Sequence, residues 1–96
     1  MKITRLTEYD LPALAKIFRQ FWGEESSLKK MRLTFSRITK NPAYILLAAK
    51  QNDHLIGFVM GTICEELYGA CKPFMVIEDL IVDKNHRRNG VGSALM

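Results

Sequence analysis

Asp79-Leu80-Ile81-Val82-Asp83-Lys84-Asn85-His86-Arg87-Arg88-Asn89-Gly90-Val91-Gly92-Ser93-Ala94-Leu95-Met96 is the stretch that decides how this chain reads. An apolar strand runs into a basic, glycine-bearing turn, and the turn runs into the first turn of a helix. A helix start presents unpaired backbone N–H groups and the positive end of the dipole, which suits a phosphate-bearing ligand. Arg87 to Gly92 has the form Arg-x-x-Gly-x-Gly. Gly90 and Gly92 let the backbone pass close to a ligand with no Cβ in the way. Successive N–H groups in such a turn can form a concave anion nest. Arg87 and Arg88 raise the local positive potential, and either can pair with a phosphate. The third glycine of the dinucleotide fingerprint is absent, as is the Gly-Lys-Ser/Thr ending of a Walker loop. Taken alone, these residues fit an ordinary glycine-bearing turn with a solvated basic rim equally well.

Upstream, the pattern alternates between strand and helix signals. Lys2 to Thr7 reads as a short first strand. Asp10 stands as an N-cap candidate before Leu11-Pro12, with proline tolerated in a first turn. Leu11, Leu14, Ile17, Phe18 and Phe21 form one helical stripe, closed by Gly23. Ser26 and Ser27 offer caps for a second helix carrying Leu28, Met31, Phe35 and Ile38, and Asn41-Pro42 stops it. Ala43 to Lys50 is a nearly continuous apolar run, fit for a buried strand. After the polar turn Gln51 to His54, Leu55 to Cys64 is the next strand. Its Gly57 and Gly61 predict a bulge or a close backbone approach. A connection through Gly69 leads to Pro73 and the strand Phe74 to Val82. The predicted order is β-α-α-β-β-β and the start of a helix: a mixed α/β (α+β) layout with a mainly antiparallel sheet. A one-turn helix cannot stand alone, so residues 1–96 are expected to be a single incomplete domain, the front part of a longer one.

The bulk numbers set bounds. The 96 residues make one domain at most. Hydrophobic residues at 48% and charged residues at 25% are ordinary for a globular chain. The net charge of +4 fits an anionic small ligand, nucleic acid or no charged partner. Nucleic acid ranks behind the small ligand, because the basic residues are not interleaved with aromatics and no reader helix is evident. Cys64 and Cys71 make neither a disulfide framework nor a zinc set and are expected to stay reduced in a cytoplasmic protein. No signal peptide is visible, and the run Ala43 to Ala49 is far too short to span a bilayer. His54 is read as a turn residue and His86 as a surface histidine with no metal partner. Tyr44 and Tyr68 are read as packing or surface residues, and the five methionines as core filling.

The order of elements, the strand Val76 to Val82 and the loop after it resemble the GNAT superfamily of acetyl-CoA-dependent N-acetyltransferases. That family's Arg/Gln-x-x-Gly-x-Gly/Ala signature is matched by Arg87, Gly90 and Gly92. Leu80, Ile81 and Val82 look like its Leu-x-Val strand. The likeness extends to Asp10-Leu11-Pro12 and Ile56-Gly57-Phe58, but its specificity lies mostly in residues 78–96.

The resemblance implies a function. The backbone amides from Arg88 through Asn89, Gly90, Val91 and Gly92 to Ser93 would hold the pyrophosphate of acetyl-CoA. The backbone of Leu80, Ile81 and Val82 would pair with the pantetheine arm. Acetyl would pass directly from the thioester to a primary amine. Glu78 is named first as base, on the expectation of a buried strand carboxylate with a raised pKa; an ion-paired or exposed Glu78 stays open beside it. By strand alternation Asp79 takes the opposite face. The family's acid, often a tyrosine, comes from a later segment than any in this chain, so these residues alone are expected to have little or no activity. The acidic pairs Glu24-Glu25 and Glu78-Asp79 tilt the acceptor toward a small cationic molecule, with a protein amine also open. Trp22 either lines a substrate pocket or packs in the core. An open edge on the last strand predicts a homodimer. The reading from a different class is a non-catalytic coenzyme-A-binding or interaction module.

Overall fold

The computed structural model describes residues 1–87 and 90–96. Strands β1 (Lys2–Arg5), β2 (Tyr44–Gln51), β3 (His54–Cys64) and β4 (Phe74–Val82) form one antiparallel sheet in the order β1-β2-β3-β4. Helices α1 (Leu11–Trp22) and α2 (Leu28–Ile38) connect β1 to β2, and α3 (Val91–Leu95) follows β4. This is the predicted order of elements. β2 and β3 are joined through Asn52 and Asp53, both at positive φ (53° and 64°), the backbone that a two-residue hairpin turn requires.

α1 and α2 cover one face of the sheet. Leu11, Leu14 and Ile17 of α1 are buried against Ala48, Phe58 and Ile81, while Leu28, Met31 and Phe35 of α2 only partly enter that core. α3 covers the other face, where Val91 and Leu95 pack on Ala49, Ile56 and Val59. Gly57 is needed there: a Cβ on it would lie 2.7 Å from Val91 Cγ1, so α3 seats directly on the strand. The other predicted glycine feature also forms, a register shift between Met60 and Gly61 where β3 meets β4.

Several packing expectations are corrected. Asp10 does not cap α1; it has helical φ and ψ and no cap hydrogen bond. Its carboxylate instead accepts from Thr7 N–H (2.8 Å) and the Thr7 hydroxyl (3.1 Å) and pairs with Lys50 Nζ on β2 at 2.8 Å. The demand of a nearby ammonium outweighs the local demand of helix N–H groups. Ser27 does cap α2, accepting from Lys30 N–H at 3.3 Å. Trp22 is neither core nor pocket lining: it is 58% exposed and tilts against Phe18 and Phe21. Of the five methionines, only Met31 and Met60 pack against the core, whereas Met1, Met75 and Met96 are exposed.

Candidate active site

β4 is one of the two edge strands of the described sheet, and its two halves differ. Opposite β3, Met60 pairs with Asp79 and Gly61 with Ile77. Glu78 is therefore the extra residue of a bulge, which breaks the strict alternation of side chains. The pair is divided, as expected, but it is Asp79 and not the preferred Glu78 that faces the cleft. Asp79 is half-buried and lines a cleft of ≈ 330 Å³ under α1 and α2. Glu78 is exposed and is not among the residues lining that cleft. The premise of a buried Glu78 is thus corrected, because the bulge lifts it out of the ladder.

Beyond the bulge the strand is regular. Ile81 is buried on the helix-covered face. Asp83 N–H turns inward to Ile56 O at 2.8 Å. By alternation along an antiparallel strand, the N–H and C=O groups of Leu80 and Val82 turn to the open edge, and those of Ile81 turn to β3. The edge can accept an extended ligand through the N–H and C=O of Leu80 and the N–H of Val82, whereas the backbone of Ile81 is committed within the sheet.

The loop after β4 is tied to the end of α1. Lys84 N–H donates to Gln20 Oε1 at 3.0 Å, and Gln20 Nε2 donates to Asp83 Oδ1 at 3.4 Å. Asp83 Oδ1 also accepts from Asn85 N–H at 3.1 Å, capping the 3-10 turn Lys84–His86. Arg87 Nε donates to Val82 O at 3.2 Å, and its guanidinium carbon lies 4.8 Å from the Phe21 ring centroid. Arg87 is therefore anchored to β4 and α1 rather than free over the loop. His86 is half-buried, its Nδ1 4.0 Å from Asp83 Oδ2.

Arg88 and Asn89 lie outside the described residues. Past them, Gly90 sits at φ +76°, in the left-handed region where a side chain is strained. Nothing lies within 4 Å of where a Cβ on Gly90 or Gly92 would be. Ala94 N–H donates to Gly90 O at 3.0 Å and opens the helical ladder, so the amides of Val91, Gly92 and Ser93 have no carbonyl of the helix to meet. An exposed backbone with free N–H groups and open space above it is a surface an anion can approach. Among the described residues, no group of three or more His, Cys, Asp or Glu could hold a metal ion.

This geometry coincides with an independent likeness in sequence. The model of the acetyltransferase (GNAT) family matches residues 11–96. The chain belongs to the GNAT acetyltransferase family. Its fold is that of solved relatives. An acetyltransferase structure from Agrobacterium tumefaciens superposes with a TM-score of 0.88 at 19% identity, covering 98% of this chain and 67% of that one. Glucosamine-6-phosphate N-acetyltransferase from Arabidopsis thaliana superposes with a TM-score of 0.86 at 17% identity, covering 97% and 67%. An aminoglycoside acetyltransferase from an uncultured soil metagenomic sample gives 0.75 at 25% identity, covering 98% and 63%. No curated protein matches the sequence significantly.

Within this GNAT domain, the expected cofactor-strand residues Leu80, Ile81 and Val82 and the loop residues Gly90, Val91, Gly92 and Ser93 follow one another along the same end of β4. The acidic residues between the first two helices do not join them: Glu25 is exposed and paired with Arg19 at 2.7 Å, and Glu24 is exposed. Sequence reasoning missed Gln20 and Phe21. They meet partners more than 60 residues away, Gln20 being 63 from Asp83, and no local pattern marks them.

Proposed function

We propose that the chain carries the acetyl-CoA half of an N-acetyltransferase that moves acetyl from acetyl-CoA to a primary amine. The observation that carries this reading is a pair of open backbone surfaces after the bulge. One is the outer edge of β4, at Leu80 and the Val82 N–H; the other is the start of α3, where the amides of Val91, Gly92 and Ser93 have no helix carbonyl to meet. The pantetheine arm lies along the edge as an added strand, and the pyrophosphate sits over Gly90 to Ser93. Arg88 and Asn89 complete that loop in this reading, with Arg87 holding it to Phe21 and Val82.

Glu78 is the proposed base. As an exposed bulge residue beside Asp79 and two places before Leu80, it takes the proton from the amine through water in this reading. The freed nitrogen attacks the thioester carbonyl, the C–N bond forms, the C–S bond breaks, the nitrogen loses its second proton and the thiolate departs as the thiol. The free cysteines Cys64 and Cys71 support a cytoplasmic setting. Among the described residues no helix is long and apolar enough to cross a membrane. The exposed Phe74, Met75 and Ile77 on the other half of β4 support a homodimer through that edge.

Calorimetric titration of acetyl-CoA into the folded chain, with free acetate as control, tests the reading. Saturable binding of acetyl-CoA and none of acetate is the expected result. No binding in a sample shown to be folded overturns it and leaves the interaction-module reading in front. Sedimentation of the same sample as a monomer removes the homodimer.

A further inference from the structure

The cleft beneath α2 is lined by none of the residues proposed to hold acetyl-CoA, and its chemistry is specific. We propose that it seats the acceptor and that the acceptor is a primary amine on an apolar body, its ammonium held by Asp79; this rests on the acetyl-transfer reading above. The cleft measures ≈ 330 Å³ and its walls are apolar, among them Leu14, Phe18, Met31, Phe35, Phe58 and Met60. Asp79 is the sole carboxylate lining it.

Asp79 is half-buried, and among the described residues it forms no ion pair. A carboxylate against apolar walls loses hydration that a cation can replace. Alternation from buried Ile81 sets its position: Asp79 lies two residues earlier on the same face and pairs with Met60, over the floor of the cleft. Asp79 also adjoins Leu80, where the proposed thioester strand begins.

The other polar groups agree with this assignment. Lys30 lines the cleft but is an exposed residue of α2, so its ammonium stays in water at the mouth while its stem adds to the apolar wall. Ser27, which caps α2, and Thr34 within it are also exposed. A polyamine or an aminoglycoside needs several anionic or hydroxyl partners along its length. This cleft offers one carboxylate and a long apolar surface, which selects a monoamine with an aromatic or aliphatic body.

The test needs no acetyl-CoA. The full chain is titrated with 2-phenylethylamine, with its uncharged counterpart 2-phenylethanol and with 1,4-diaminobutane, and binding is read from backbone amide NMR shifts. The expected result is saturable binding of 2-phenylethylamine, with shifts at Asp79, Met60 and Phe35, and at least about tenfold weaker binding of the other two. Asp79→Asn lowers the affinity for the amine to that for the alcohol, while Asp53→Asn in the exposed hairpin turn leaves it unchanged.

Equal affinity for amine and alcohol, tighter binding of the diamine, or an Asp79→Asn chain that binds like the unmodified one each overturns the proposal. If Asp79→Asn does not fold, the comparison of amine with alcohol in the unmodified chain decides. Failure here while acetyl-CoA binds removes the apolar-amine site and leaves the transfer reading standing. Loss of acetyl-CoA binding with the amine site intact does the reverse.

Discussion

α1 and α2 present the same kind of apolar stripe to the same face of the sheet, yet they are held very differently. α1 is fixed at its start by Asp10 on Lys50, in its middle by buried Leu11, Leu14 and Ile17, and at its end by Gln20 and Phe21 on the loop after β4. α2 has one side-chain cap, Ser27, no buried residue, and a cleft beneath it. Amphipathic spacing sets which side of a helix faces inward; it does not set how deep that side goes. In this chain α1 acts as a frame that carries the loop after β4, and α2 acts as the roof of a space.

The largest effect that tests this contrast comes from the core. Leu14 is 3% exposed, and Leu14→Ala is expected to cost roughly 2–5 kcal/mol in denaturant unfolding. Phe35→Ala in α2 removes a larger side chain but is expected to cost less, on the order of 1–2 kcal/mol, because Phe35 is already half-solvated. Equal costs would break the distinction between frame and roof.

The next effect is electrostatic. Burial of Asp10 pushes its carboxyl pKa up. The hydrogen bond from Lys50, those from the Thr7 N–H and hydroxyl, and the Lys50 charge together more than offset that, so the net pKa is lowered. A depressed carboxyl contributes stability that is fully present above its unfolded pKa of about 3.9 and is lost as pH falls through the lower folded value. Asp10→Asn is expected to cost about 2 kcal/mol near neutral pH. Its stability should fall less than that of the unmodified chain on acidification below about pH 4. Parallel stability–pH curves for the two chains would show that the pair does not hold the start of α1.

The smallest effect concerns the far end of α1. Phe21→Ala removes the ring under Arg87 and is expected to weaken acetyl-CoA binding about 2- to 5-fold, the size of one exposed cation–π contact. Phe21→Tyr should restore it with no change in unfolding midpoint. Unchanged affinity in Phe21→Ala would mean that Arg87 is positioned by Val82 O alone.

Much of this was legible because it is local. Gly23 at φ +73° ends α1, Ser27 caps α2, and Gly57 and Gly61 mark a close approach and a bulge. Each follows from what one residue type permits its own backbone to do. The glycine signature after β4 was legible for the same reason. The errors came from contacts between distant segments. Asp10 read as a helix cap because no short-range rule announces Lys50 on β2. Trp22 read as core or pocket lining, and three of the methionines as core, because hydrophobicity does not say which side of a helix or strand meets a neighbour.

The acidic pair on β4 makes the division clear. The sequence by itself determined the order of the elements, the antiparallel layout and the Arg-x-x-Gly-x-Gly motif, because periodicity and glycine chemistry are written along the chain. It also placed two carboxylates just before Leu80, Ile81 and Val82. Only the tertiary structure decided between them. Whether a strand alternates strictly depends on its partner, and the register of β3 against β4 inserts Glu78 as an extra residue and leaves Asp79 in the cleft.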